Sequence, residues 1–225
     1  MTNRPKHLTL RPDEVPRFLR PSGLVVLPVK RKSDFQHAHP FTRDDGVGVV
    51  FTRHHNWTGV TNSETVYCPL GGPGSQWVGR EAWEVVAAFK DYKRPVSYEA
   101  RCVYRADASK AKATTHDAPI RQVPISREVY ESLDSIRNTN SRWRLARSMP
   151  LWAARIRKTT TRVELRRVNT ITNDECELLP IEPDRATDHP RGVWYTAFMA
   201  EFNARYHGSW DRDDYAWFVF YTDTL

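Results

Sequence analysis

Alternation and helical periodicity divide this chain into short elements. Leu24-Val25-Val26-Leu27, following Gly23, is an apolar run of strand length, and Gly46 to Thr52 is β-branched in the same manner. Cys68-Pro-Leu-Gly-Gly-Pro-Gly74 is a turn cluster, and Trp77 to Phe89 reads as a strand beyond it. Ser97 to Arg105 alternates, with Tyr98, Ala100, Cys102 and Tyr104 on one face and Glu99, Arg101, Val103 and Arg105 on the other. Thr159 to Val168 alternates again, with Thr161, Val163 and Leu165 inward and Arg162, Glu164 and Arg166 outward. A helix is expected from the N-cap Ser126, with Val129, Tyr130, Leu133 and Ile136 on one stripe. Thr172-Asn-Asp-Glu175 is a capping box for a short helix that stops before Pro180. Tyr195, Phe198, Met199, Phe202 and Tyr206 share a helical face, and Tyr215 to Tyr221 closes the chain as a strand. Residues 1–22, with Pro5, Pro12, Pro16 and Pro21, read as an irregular arm. The expectation is an α+β fold: a small β-barrel decorated with helices.

Composition narrows the class. The 225 residues suit one elaborated domain, and 40% hydrophobic with 27% charged residues suits a globular protein. No apolar run nears the roughly 20 residues of a membrane span, and Met1 to Lys6 leads into no apolar signal core. The expected location is therefore the cytoplasm, with no membrane partner. Cys68, Cys102 and Cys176 are too few and too far apart for a disulfide framework or a zinc knuckle.

Charge is unevenly distributed. Between Arg137 and Arg167 lie ten Arg and Lys and one acid, Glu164, whereas residues 171–225 hold eleven acids and four Arg. An Arg-dominated belt is the footprint expected for phosphate contacts, and Trp143 and Trp152 inside it add faces on which bases stack. The alternative is a solvated face paired with the acidic C-terminal stretch. His37 with His39, and His54 with His55, form pairs in polar, loop-like stretches without acidic or thiol partners at ligand spacing. No metal or cofactor is expected. Gly71, Gly72 and Gly74 lack the Gly-Lys-Ser/Thr of a phosphate loop.

Four segments in order resemble a phage and prophage family of ASCH-domain proteins of the PUA-like superfamily. They are Cys68-Pro-Leu-Gly-Gly-Pro-Gly-Ser-Gln-Trp-Val-Gly-Arg-Glu-Ala-Trp83, Val103-Tyr-Arg-Ala-Asp107, Ser148-Met-Pro-Leu-Trp-Ala-Ala-Arg155 with Ile171-Thr-Asn-Asp-Glu175, and Phe198 to Tyr206 with Trp210-Asp211 and Tyr215-Ala-Trp-Phe-Val-Phe220. The resemblance runs from about residue 66 to 221, which assigns 66–225 to the barrel remainder and 1–65 to a divergent arm with the first barrel strands of a single domain. It implies a PUA-like barrel whose cleft receives a nucleotide or a strand of RNA or DNA, in the cytoplasm of a bacterial host if the chain is phage-encoded. Some members deacylate a modified cytidine with a Thr nucleophile, an activating Lys and a Glu for proton transfer. At the aligned positions this chain carries Pro21-Ser-Gly-Leu-Val-Val-Leu27 and Leu178-Leu179-Pro180, so the reacting groups are replaced and no catalytic residue is assigned.

The expectation is thus a catalytically silent binding protein. Its ligand residues would be Arg80, Glu81, Trp83, Arg147, Trp152, Arg155, Arg157 and Lys158. In that scheme Arg80 meets phosphate or a base edge, Glu81 accepts an exocyclic N–H, and Trp83 stacks. The structural alternative for the same residues is an internal Arg–Glu pair beside a core Trp. Trp152 and Arg155, three apart, either stack on each other or flank one ligand. Two rival functions stand beside this one. The first is a hydrolase acting on nucleosides or RNA through Ser22, Glu81, Glu177 or Glu182 or a histidine, and the second is an effector that binds a host protein.

Overall fold

The computed structural model describes residues 6–29, 37–43, 46–54, 61–92, 95–108, 118–133, 143–179, 181–183, 190 and 192–224. Its strands are β1 (Lys6–Thr9), β2 (Ser22–Pro28), β3 (His37–Arg43), β4 (Gly46–His54), β5 (Thr61–Tyr67) and β6 (Gln76–Arg80). They continue as β7 (Trp83–Asp91), β8 (Ser97–Tyr104), β9 (Arg121–Pro124), β10 (Ile156–Arg167) and β11 (Tyr215–Asp223). The helices among the described residues are α1 (Val15–Phe18), α2 (Arg127–Leu133), α3 (Asn173–Glu177) and α4 (Val193–Tyr206). The fold is α+β, strands dominate, and one sheet curls into half a barrel. Strand order is β1-β6-β10-β11-β2 in the largest sheet, with separate meanders β3-β4-β5 and β7-β8-β9. The chain forms two compact units, Met1–Lys6 with Arg20–Trp77 and Arg157–Leu225, and His7–Leu19 with Val78–Ile156.

In the first unit β11 pairs antiparallel with β10 on one side and β2 on the other. Ala216, Phe218 and Phe220 share a face with Leu24 and Val26, and α3 and α4 close it with Cys176, Tyr195, Phe198 and Phe202. Trp217, Val219 and Tyr221 on the opposite face are buried as well, which is why β11 reads as a continuous apolar run. The capping box of α3 is formed: the Thr172 hydroxyl accepts from the Glu175 N–H at 3.2 Å, and the Glu175 carboxylate accepts from the Thr172 N–H at 3.0 Å.

The second unit is built on the β7-β8-β9 meander. Ala100, Cys102 and Tyr104 form one buried face with Val78, Trp83, Leu133 and Met149, as the alternation requires. Ser126 caps α2 by accepting from the Val129 N–H at 3.3 Å, and Ile136 lies outside the described residues.

Four expectations change. The lead-in is not irregular throughout, since residues 6–9 form β1 and Pro16 sits in the first turn of α1, where a missing N–H is harmless. The strand expected over Trp77 to Phe89 is two strands, broken at Glu81-Ala82, where the Glu81 side chain is buried against an arginine. In β10 the register shifts between Thr160 and Arg162, so Thr161 is exposed rather than inward. Arg162 and Arg166 meanwhile lie 3.9 Å and 4.0 Å over the rings of Phe220 and Phe218. Finally, His37, His39 and His54 belong to β3 and β4 rather than to loops, while His55 lies outside the described residues.

Candidate nucleic-acid interface

The chemistry of the second unit centres on Arg155, just before β10. Its Nε and Nη2 donate to the two oxygens of Glu81 at 2.7 Å and 3.0 Å, and its Nη1 donates to both oxygens of Asp107 at 2.9 Å. Arg121 on β9 adds a bond to Asp107 at 2.8 Å. The Arg155 guanidinium lies 4.5 Å over the ring of Tyr104, whose hydroxyl donates to the Ala153 carbonyl at 2.8 Å. Glu81 is 1% exposed and Arg155 12%, so this is a closed ionic cluster. Burial pushes the Glu81 carboxyl above its usual range against the pull of Arg155. Burial acts upward on Asp107 too, but Arg121 and Arg155 outweigh it and hold that carboxyl below its usual range.

Around this cluster lies an aromatic and cationic surface. Trp83 is 3% exposed and meets Trp152 edge-to-face at 5.7 Å. Arg144 lies 5.5 Å over the Trp83 ring and donates to Glu84 at 2.9 Å, while its backbone pairs with that of Trp83. Arg80 donates to the Arg147 carbonyl at 3.1 Å, which ties β6 to the 3-10 turns at Ala146–Ser148 and Leu151–Ala153. Those turns bury Met149 and Ala153 but leave Leu145, Arg147 and Leu151 exposed and Trp152 half-buried. From Trp143 through Arg155 there are three arginines and no acid.

No family model, no curated protein and no solved structure matches this chain.

Of the eight expected ligand residues, Arg80, Glu81, Trp83, Arg147, Trp152 and Arg155 fall in the second unit and come together there. The internal Arg–Glu pair uses Arg155, 74 positions along the chain from Glu81, rather than the adjacent Arg80. Trp152 meets Trp83 edge-to-face, and Arg155 covers Tyr104, so the two do not stack on each other. Arg157 and Lys158 fall in the first unit. Arg157 is exposed, whereas Lys158 is 2% exposed and donates to Asp223 and to the Arg20 carbonyl.

Much of the Arg belt is paired internally. Arg162 and Arg166 meet Glu164, Arg166 also meets Glu175, and two of these partners, Glu175 and Asp223, come from the acidic C-terminal stretch. Sequence reasoning overlooked Tyr104, Asp107, Arg121 and Arg144. Tyr104 and Asp107 stand in the Val103–Asp107 segment, and the carboxylates of Glu81 and Asp107 with the later Arg155 were the available signal.

Proposed function

We propose that this protein is a PUA-like, ASCH-type barrel that binds single-stranded nucleic acid or a nucleotide and does not cut it. One observation carries the reading: an acid-free segment presents exposed Arg147 and half-buried Trp152 beside Trp83, Arg80 and Arg144. Stacking faces interleaved with cations suit single strands, whose unpaired bases leave a π-face free. The Glu81–Arg155–Asp107 cluster is the rigid support beneath that surface, since its carboxylates are already bonded to arginine. The resemblance to ASCH proteins supports the same reading, as does the loss of their reacting groups at the aligned positions. Titration of labelled single-stranded RNA and DNA is the test. Log affinity falls with log salt by about 0.7 per phosphate neutralised, and absence of saturable binding at about 50 mM salt rejects the reading.

A second reading, hydrolysis, is favoured by one observation in the first unit. Buried Lys158 is bonded to Asp223 and lies 5.3 Å from the Tyr221 ring, and Thr160 on the same strand face has a buried hydroxyl without a partner. This brings an amine, hydroxyls and a carboxylate to one strand pair, the set of groups that the resemblance associates with deacylation. Ser22, Glu177 and Glu182 are exposed, outside that group. Release of acetate from acetylated cytidine, abolished by Lys158→Met, would establish this reading; no turnover by the wild-type chain removes it.

A further inference from the structure

The hydrogen-bonding inventory of the candidate interface is one-sided. Both oxygens of Glu81 and both of Asp107 already accept from arginine, and the Glu84 Oε1 accepts from Arg144 and from the Val85 N–H at 2.9 Å each. Glu81 is therefore poorly placed to accept an amine from a base, the role its position first suggests. Two buried donors of the same group have no acceptor: the indole N–H of Trp83, a side chain 97% buried, and the Nε–H of Arg80. Buried polar groups are ordinarily bonded, so an orphan donor marks a place where a partner is missing. Arg144 and Arg147 add positive charge and no acceptor side chain.

We infer that, if the binding reading above holds, this site selects bases by their carbonyl edges, favouring the keto bases uracil and guanine over the amino bases cytosine and adenine. Uracil and cytosine are nearly the same size, but the oxygen at position 4 accepts hydrogen bonds where the amine of cytosine donates them. Against these two orphan donors the oxygen completes the Trp83 N–H or the Arg80 Nε–H, whereas the amine places donor against donor. A base reaches these groups when Trp152, which meets Trp83 edge-to-face from a short turn, swings aside and stacks on that base. Selection then arises from completing donors that the free protein leaves unmet.

The experiment compares oligo(U) and oligo(C) RNAs of about twelve nucleotides, long enough for one single-strand site, by fluorescence anisotropy at matched salt. The two share a backbone, so phosphate contacts cancel in the ratio. The expected result is oligo(U) tighter by about five- to a hundredfold, with the ratio falling towards one in Trp83→Phe, which keeps an aromatic, though smaller, ring and removes the N–H. Arg80→Lys, which keeps the charge and removes Nε, is expected to lower it too, and it decides alone if circular dichroism shows Trp83→Phe unfolded. Equal affinities, tighter oligo(C), or a ratio unchanged in the folded variants overturns the inference and leaves the binding reading standing. Failure of both RNAs to bind overturns the two together.

Discussion

Arg155 donates to both oxygens of Glu81, bringing a residue just before β10 against the break between β6 and β7, 74 positions earlier in the chain. The same guanidinium bonds Asp107 and covers Tyr104 at the end of β8, so one side chain ties its own segment to two others. A polar centre of this kind is sensitive to losing one member, because the others stay charged and buried.

Replacing Arg155 with Met removes the only cation bonded to Glu81 among the described residues, and leaves that carboxylate in a site 1% exposed to water. The expected loss of unfolding free energy is about 3–5 kcal/mol, read from urea denaturation with an unchanged m-value. Adding Glu81→Leu to Arg155→Met should recover part of the loss. A loss below about 1 kcal/mol in the single variant would mean that water reaches Glu81 and the cluster is open.

The thiols give a second, simpler check. Cys68, Cys102 and Cys176 are free and buried, and burial pushes them up to about 11, 12 and 12. The thiolate is the reactive form, so a disulfide reagent at about pH 8 should find none of them in the folded protein and all three in denaturant. Rapid labelling of any one under native conditions would place it at a surface.

How much of this was legible depends on the range of the interaction concerned. The alternation of β8, the capping box at Thr172 and the stripe on α4 follow from neighbours a few residues apart, and each stands where the pattern put it. The bulge at Thr161 left no trace in the pattern, because a slip of one residue leaves Thr and Arg in plausible places on either face. Strands β3 and β5 were missed since His37-Ala-His-Pro-Phe and Thr61-Asn-Ser-Glu-Thr are polar and weakly alternating. At the site, Arg80-Glu81 next to one another suggested a local pair, while the bond actually made is long-range and invisible to spacing.

Gly79, between Val78 and Arg80 in β6, tests how tightly the second unit is packed beneath the interface. A Cβ there would lie 2.7 Å from the Leu10 side chain and 2.9 Å from that of Ile156, both buried. Gly79→Ala should therefore destabilise by about 1–3 kcal/mol through overpacking, seen as a lower thermal midpoint. An unchanged midpoint would show that the Leu10 or Ile156 side chain yields at no cost.

Binding should separate into stacking and charge. Trp152→Ala should weaken single-strand binding by about 1–3 kcal/mol per base lost from the stack, with little change in salt slope. Arg147→Ala, at an exposed position, should weaken all sequences alike and reduce the slope by about 0.7. Anisotropy titrations at several salt concentrations distinguish the two, and identical effects from both variants would mean that neither residue meets the ligand directly.

Acid stability should carry the signature of Glu175. Burial raises its carboxyl, but the bond from Arg166 at 2.7 Å and the Thr172 N–H outweigh that and hold it below its usual range. A folded value below the unfolded one means that the stabilisation is complete above the ordinary glutamate value near ~4.3, and is lost as pH falls through the folded value. Glu81 has the opposite sign, because burial raises it: its contribution falls as pH rises through the interval above the ordinary value. Glu175→Gln should therefore lower stability at neutral pH and flatten its decline below about pH 4.3, measured by denaturant midpoints across pH. A variant as steeply acid-sensitive as the wild type would show that Arg166 and Glu175 are not coupled in solution, and that α3 is held to β10 by packing alone.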